Sequence, residues 1–383
     1  MHLLISTLFV WTLILIAALW ACVTATWIYF RLSPTPPLET EILPMTVVKP
    51  VRGLDEAMLP GLEALVRADP QSRLQILVAM ESAEDPAYTA CRDFAAAHPG
   101  RDIDIIISGP ARGRMGKIHN MIAALPRAKH PRVIFSDADT IALPEVLAET
   151  SAAFARGFDA IYAIPYHLKT DDLSGYLMQI AFGHGFSVAV ALGYYLRRFN
   201  FYAGAWMAYT TDLLGKIGGL EPFARVIADD YAVGDAASKA GSRKYLLHSR
   251  IGVQESDRTL KESLRHLAKW SAIIRSSLPG VYALLPLFDG VLTAAAVLAL
   301  DIFSKRPAAP ALCLLAAAAG SRALAGVIQD LALRENLMPW HAYAGLPLVD
   351  FLNIFLWPFG FRSTILWRGT RYRLSSGGKA EVL

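Results

Sequence analysis

Two blocks of apolar sequence bracket this chain and constrain its fold more than any other feature. Residues 3–30 carry no charged side chain, and a helix that crosses a bilayer needs only about 20 such residues in a row. A second block begins near Pro279 and runs through residues 281–303, 308–331 and 340–361, with Asp289, Asp301, Arg322 and Asp350 set inside it. The whole chain is 54% apolar and 18% charged, against about a quarter charged in an ordinary soluble domain. A wholly soluble chain and a disordered one are both excluded.

The first block reads as an uncleaved anchor. A signal peptide has a basic start and a shorter apolar stretch; here only His2 precedes a long run, and Ser33-Pro34-Thr35-Pro36-Pro37 ends it. Arg265, Lys269 and Arg275 precede the second block, and Arg362, Arg368, Arg371, Arg373 and Lys379 follow it. The positive-inside bias places both flanks in the cytoplasm. That requires an even number of C-terminal crossings. Residues 340–361, interrupted by Pro347, Asp350, Asn353 and Pro358, are therefore expected to be the segment that does not cross. The expected division is an anchor at 1–31, a cytosolic domain at 32–278, membrane helices at 279–361 and a basic tail at 362–383.

Residues 32–278 alternate between strand and helix patterns. Strands are expected at 46–50, 74–80, 103–107 and 132–136, and helices at 59–68, 86–98, 115–125 and 212–217. This is the pattern of an α/β fold on a mainly parallel sheet, in which ligands bind beyond the carboxyl ends of the strands. The net charge of +4 is too small to mark a nucleic-acid partner. Cys22, Cys91 and Cys313 lie far apart with no Cys-x-x-Cys, so neither a zinc site nor a disulfide framework is expected.

The fourth strand runs directly into Asp137-Ala138-Asp139. Paired carboxylates there suit a hard divalent cation that bridges to substrate phosphates. Ile227-Ala228-Asp229-Asp230-Tyr231 opens a helix in an apolar setting. Asp230 is the candidate general base, with one of the two aspartates expected to cap the helix. His266-Leu267-Ala268-Lys269-Trp270 lies on a basic amphipathic helix before the second apolar block. Residues 173–195 are apolar with His184 between two glycines; they read either as a core helix or as an in-plane membrane helix shaping a lipid entrance.

Further markers follow in order. Val48-Lys49-Pro50-Val51-Arg52-Gly53-Leu54-Asp55, Glu84-Asp85-Pro86-Ala87 and Gly116-Lys117-Ile118-His119-Asn120 precede Ser136-Asp137-Ala138-Asp139, Gly218-Gly219-Leu220 and Ala228-Asp229-Asp230-Tyr231. With these motifs the sequence resembles the membrane-bound ceramide glucosyltransferases and related bacterial lipid glycosyltransferases. The resemblance implies a GT-A fold that takes a nucleotide sugar, a UDP-sugar by expectation, and glycosylates a lipid with inversion. It implies Asp230 as base, Asp139 as ligand of Mg2+ or Mn2+, and Lys49, Glu81, Asp85, Lys117, Asp137, Lys269 and Trp270 on the nucleotide sugar. His184, Gly204 and Trp206 fall to the acceptor, expected to be ceramide. It also implies an integral protein of a bacterial inner membrane with its catalytic domain in the cytoplasm. Two departures stand out. Ser82 occupies the place of the family's aspartate after the second strand, and Lys269 replaces the arginine of its closing motif, losing a bidentate fork. Transfer to diacylglycerol or a hopanoid, a processive polysaccharide synthase and a non-catalytic lipid-binding relative remain open alternatives.

Overall fold

The computed structural model describes residues 1–35, 42–168, 172–186, 193–194, 203–254, 259–333, 337–367 and 369–383. Pro36, Pro37, Phe201, Tyr202, Arg368 and, within the 173–195 segment, residues 187–192 and 195 lie outside them. The chain forms two compact units. One comprises residues 34–169, 197–258 and 379–383, and the other residues 1–33, 170–196 and 259–378.

The first unit is built on β1 (Met45–Pro50), β2 (Leu74–Met80), β3 (Asp102–Ile107), β4 (Arg132–Ser136), β5 (Thr140–Ile141), β6 (Ala160–Tyr162), β7 (Pro165–His167), β8 (Trp206–Thr210), β9 (Lys244–Leu246) and β10 (Ile251–Val253). Its main sheet has the order β3-β2-β1-β4-β8-β6-β9. β1 is parallel to both β2 and β4, and β2 is parallel to β3. Helices Met58–Ala68, Ala87–Ala97 and Gly116–Ala124 connect these strands. β1 and β2 are buried along their whole length, as their unbroken apolar runs require of a sheet covered on both faces. β3, with Asp102 and Asp104 among its residues, is the partly exposed edge.

The order fixes where a ligand can sit. From β1 the chain steps outward to β2 and β3, then returns to place β4 on the other side of β1. The carboxyl ends of β1 and β4 thus border a switch point, where such sheets open a crevice. The sequence pattern did not disclose β8. It runs antiparallel to β4, with Ser136 opposite Trp206, so the residues that precede β8 lie beside those that follow β4. β5, β10 and β7 form a small second sheet.

The second unit is mainly helical, with an antiparallel strand pair, Thr364–Trp367 and Thr370–Ser375, near its end. His2–Trp27 packs on Gly290–Phe303 and Ala309–Leu333 through Ile5, Val291, Ala294, Val297, Ala311, Leu314 and Ala318. The Thr12 and Thr293 hydroxyls are hydrogen-bonded at 3.0 Å. Among the described residues three helical stretches are long and apolar enough to cross a membrane: His2–Leu32, Ala309–Leu333 and Trp340–Phe361. The structure differs from the sequence reading in where the helical path is interrupted. Residues 340–361 form a continuous helical stretch that accommodates Pro347. The interruption falls instead in the expected 281–303 span, which bends by 61° between Pro279–Phe288 and Gly290–Phe303. Asp289 causes the break, since its side chain accepts the Val291 and Leu292 N–H groups and starts a new helix. The charges inside these helices pair off: Arg322 with Asp350 at 3.0 Å and Arg306 with Asp301 at 3.3 Å. An unpaired charge in an apolar surrounding would be far costlier.

Candidate active site

The first unit gathers Lys117, Asp137, Asp229, Asp230 and Gly204. Asp137 follows β4, Lys117 lies in the first turn of Gly116–Ala124, and the two later aspartates open the helix Asp229–Lys239. Lys117 Nζ lies 2.7 Å from Asp137 Oδ1 and 3.3 Å from Asp229 Oδ2. Burial opposes the lysine's charge, but Asp137, Asp229 and Asp230 outweigh it and hold its pKa above the ordinary lysine value.

Asp230 is partly exposed, whereas Asp229 is buried. Its Oδ2 accepts the Gly204 N–H at 3.0 Å and its Oδ1 the Tyr231 N–H at 2.8 Å. Burial of its carboxylate, and then the charge of Asp229, push its pKa up to about 7, a value suited to a base that works near neutrality. The expectation that one aspartate caps the helix is not met. The cap position is Ala228, without a side-chain hydrogen bond, and Asp229 is committed to Lys117 instead.

Gly204 reaches the site because β8 is antiparallel: Asp137 N–H meets Ala205 O across the ladder end. A Cβ at residue 204 would lie 2.7 Å from Lys117 Nζ and 3.5 Å from Asp230 Cβ. Gly204→Ala is therefore expected to displace the lysine from its two carboxylates. A displacement of this size should lower turnover by about ten- to a hundredfold and lower the melting temperature as well, because the buried Asp229 loses its cation. Parallel rate and thermal-unfolding measurements check this.

Lys49 is buried beneath the Asp137-Ala138-Asp139 turn. Its Nζ donates to Asp137 O at 2.7 Å, Thr140 Oγ1 at 3.1 Å and Ser136 Oγ at 3.3 Å. Desolvation brings its pKa down to about 8, with Asp139 and Asp137 pulling the other way. It anchors the acidic turn from below. Asp85 is similarly occupied, its carboxylate accepting the N–H groups of Gly53 and Ala87. Ser82 Oγ accepts the Glu84 N–H at 3.0 Å. Glu81 approaches the start of the Lys117 helix, where a Cβ on Gly116 would stand 3.0 Å from its Oε1.

Trp206 is fully buried in the sheet core, its indole N–H donating to Thr150 Oγ1 at 3.1 Å. In this position its side chain presents no surface to an acceptor. His184, Lys269 and Trp270 belong to the helical unit. His184 Nε2 lies 2.6 Å from Asp330 Oδ1, and Tyr343 donates to the other oxygen of Asp330 at 2.6 Å. Lys269 Nζ stands 5.1 Å from the ring centre of Trp367, and Trp270 packs edge-on against His266.

Among the described residues no three metal-ligating side chains gather into a ready-made cage. Asp139 and Asp137 do offer hard oxygen donors at the strand end. Four carboxylates, Asp137, Asp139, Asp229 and Asp230, act on Lys49 or Lys117 in this region, so carboxylates outnumber these two lysines. An anionic diphosphate would be repelled there unless a cation came with it. A partial oxygen shell completed by water and phosphate is how Mg2+ is commonly held, so the residues present fit such an ion.

The architecture is that of a GT-A glycosyltransferase. It matches the mannosyltransferase PcManGT from Pyrobaculum calidifontis, solved in complex with GDP-Man and Mn2+. The match has a TM-score of 0.55 at 18% identity and covers 93% of this chain and 100% of that one. The chain belongs to glycosyl transferase family 21, whose profile matches residues 9–380. Ceramide glucosyltransferase 1 of Caenorhabditis elegans is 22% identical over 373 residues, which are 93% of this chain and 76% of the relative. Ceramide glucosyltransferase 3 of the same organism is 20% identical over 264 residues, 68% of this chain and 57% of that one.

Proposed function

We propose that this glycosyltransferase moves a hexosyl group from a UDP-sugar to the hydroxyl of a membrane lipid, ceramide in the first instance, with inversion at the anomeric carbon. The observation that carries the reading is the Lys117–Asp137–Asp229 cluster with Asp230 fixed beside it at the switch point of the sheet. The names of the relatives supply the acceptor, and three helices long and apolar enough to cross a membrane agree with a lipid substrate. The catalytic unit is assigned to the cytoplasmic face of a bacterial inner membrane.

Asp230 takes the proton of the lipid hydroxyl. Each of its oxygens accepts one backbone N–H and keeps a lone pair for that proton. The lipid oxygen forms a bond to the anomeric carbon as the bond to the diphosphate oxygen breaks, and the leaving diphosphate carries away the electron pair. Asp229 positions Lys117, whose cation stands where negative charge collects. Asp139, with Asp137, would hold Mg2+ or Mn2+, which when bound neutralises charge on the diphosphate. Lys49 keeps the acidic turn in place from beneath.

The test is the purified full chain in nanodiscs, offered a panel of nucleotide sugars against ceramide, diacylglycerol and a hopanoid. Products are read by mass spectrometry and their anomeric configuration by NMR. A glycosylceramide of inverted configuration is expected. Retention of configuration would replace the single displacement, and a growing polymer would replace the acceptor assignment.

Lys269 is proposed to act on the donor diphosphate, as the resemblance implies. Lys269→Ala is expected to lower turnover in micelles of neutral detergent, where no anionic surface exists. A loss seen only in anionic vesicles would assign the residue to the membrane surface instead.

A further inference from the structure

A cavity of about 900 Å³ lies in the α/β unit outside the acidic cluster. Its walls carry Arg112, Arg114, Arg225 and Lys379, with His119 and one acidic residue, Glu221. Glu221 pairs with Arg114 at 3.1 Å. Arg112 and Arg225 have no carboxylate partner among the described residues, so the cavity keeps an excess of positive charge. None of Lys117, Asp137, Asp229 and Asp230 lines it. Lys117 and His119 are two residues apart on one helix, about 200° around its axis, so they address different sides.

Three further features mark this as more than a solvated basic surface. Arg112 holds a left-handed backbone, φ 46°, between Gly109 and Gly113, which are also left-handed. Such a conformation costs of order 1 kcal/mol or more and persists where surroundings enforce it. His119 is 9% exposed; its Nε2 donates to Gly109 O, and its Nδ1 has no hydrogen-bond partner among the described residues. Lys379 is brought in from the chain's far end by a β-bridge to Val226, with Ala380 N–H donating to Arg225 O.

The two walls lead straight to the acidic cluster. Residues 108–114 run into Lys117, and residues 221–226 run into Asp229 and Asp230. Met115 N–H donates to Ala224 O at 2.7 Å and ties the walls together. We propose that this cavity binds a phosphate group, gripped by Arg112 and Arg114 from one wall and Arg225 and Lys379 from the other, and that the bound anion clamps the two segments carrying the acidic cluster. Guanidinium groups suit phosphate oxygens through paired, charge-assisted hydrogen bonds. The phosphate comes either from a soluble ester or from a lipid headgroup. Its binding stands independently of the transfer reaction proposed above.

The experiment is thermal unfolding of the full chain in neutral detergent, titrated with sodium phosphate against sodium chloride at matched ionic strength. A saturable rise in midpoint with phosphate alone is expected. The double variant Arg112→Ala/Arg225→Ala should need about tenfold more phosphate for the same rise, and Arg112→Lys/Arg225→Lys should recover part of it. Both arginines are exposed, so the variants test binding without disturbing the core. Repeating the titration in phosphatidylcholine nanodiscs with and without phosphatidic acid separates the sources. Loss of the phosphate response with phosphatidic acid assigns a lipid headgroup, and its persistence assigns a soluble ester. An equal rise with chloride, or an unchanged response in the double alanine variant, overturns the proposal.

Discussion

Asp230→Asn is expected to leave donor binding near normal and to lower transfer by about a hundredfold or more, the usual scale of a lost general base. The amide keeps the shape and its one oxygen can still accept the Gly204 N–H, at the cost of the Tyr231 N–H bond, but it cannot take the hydroxyl proton. Wild-type turnover should rise with pH and level off near 7, following the raised carboxyl, and this limb should vanish in the variant. Stability should move the opposite way. Between the unfolded carboxyl's pKa, near 4, and about 7, the folded chain holds a proton that the unfolded chain has lost. Stability therefore falls as pH rises through that window. Asp230→Asn removes this penalty, so the variant should unfold at a higher temperature than wild type at pH 8. Asp229→Asn is the contrasting case: Lys117 loses one of its two close carboxylates, and donor affinity should change with turnover. Normal transfer by Asp230→Asn, with Asp229→Asn inactive, would move the base to its neighbour.

Asp139→Ala is expected to lower transfer by about a thousandfold or more, since charge neutralisation at a diphosphate is worth several kcal/mol. EDTA should silence the wild type, and Mn2+ or Mg2+ should restore it. A second readout avoids relying on activity. Nucleotide with Mn2+ should raise the wild-type melting temperature well beyond either alone, and Asp139→Ala should lose that synergy while keeping its own cooperative transition. Lys49 remains beneath the turn in this variant, bonded to Asp137 O and Thr140 Oγ1, so the loop keeps its support. Full wild-type activity in EDTA would exclude an exchangeable metal.

Much of the first half of the α/β unit was legible in the sequence. The strand expected at 132–136 matches Arg132–Ser136, and that at 74–80 matches Leu74–Met80, because buried parallel strands are short unbroken apolar runs. The later strands were missed. Ala160–Tyr162, Pro165–His167 and Lys244–Leu246 are three residues each, too short to carry a period. Trp206–Thr210 was not among the expected strands, although its antiparallel pairing delivers Gly204 to the site. The helix break fell at Asp289 rather than around Pro347 because a side-chain cap starts a new helix at once. A proline inside a helix need cost only a hydrogen bond and a local bend.

The residue types needed for phosphate and proton chemistry, and their order along the chain, were decided by the sequence alone. Carboxylates at a strand end and at a helix start follow from local pattern, and the long uncharged runs follow from composition. Which carboxylate does what was decided only in three dimensions. Asp229 and Asp230 are adjacent and chemically identical in the sequence. Consecutive residues on a helix point about 100° apart, so one is turned into the buried pair with Lys117, while the other meets the N–H groups of Gly204 and Tyr231. In the same way Lys49 and Asp85 look like ligand-binding charges in one dimension. Folding satisfies them with backbone groups instead: the buried Lys49 donates to Asp137 O, 88 residues away, and Asp85 accepts the N–H groups of Gly53 and Ala87, because a charge taken from water must find partners wherever the fold supplies them.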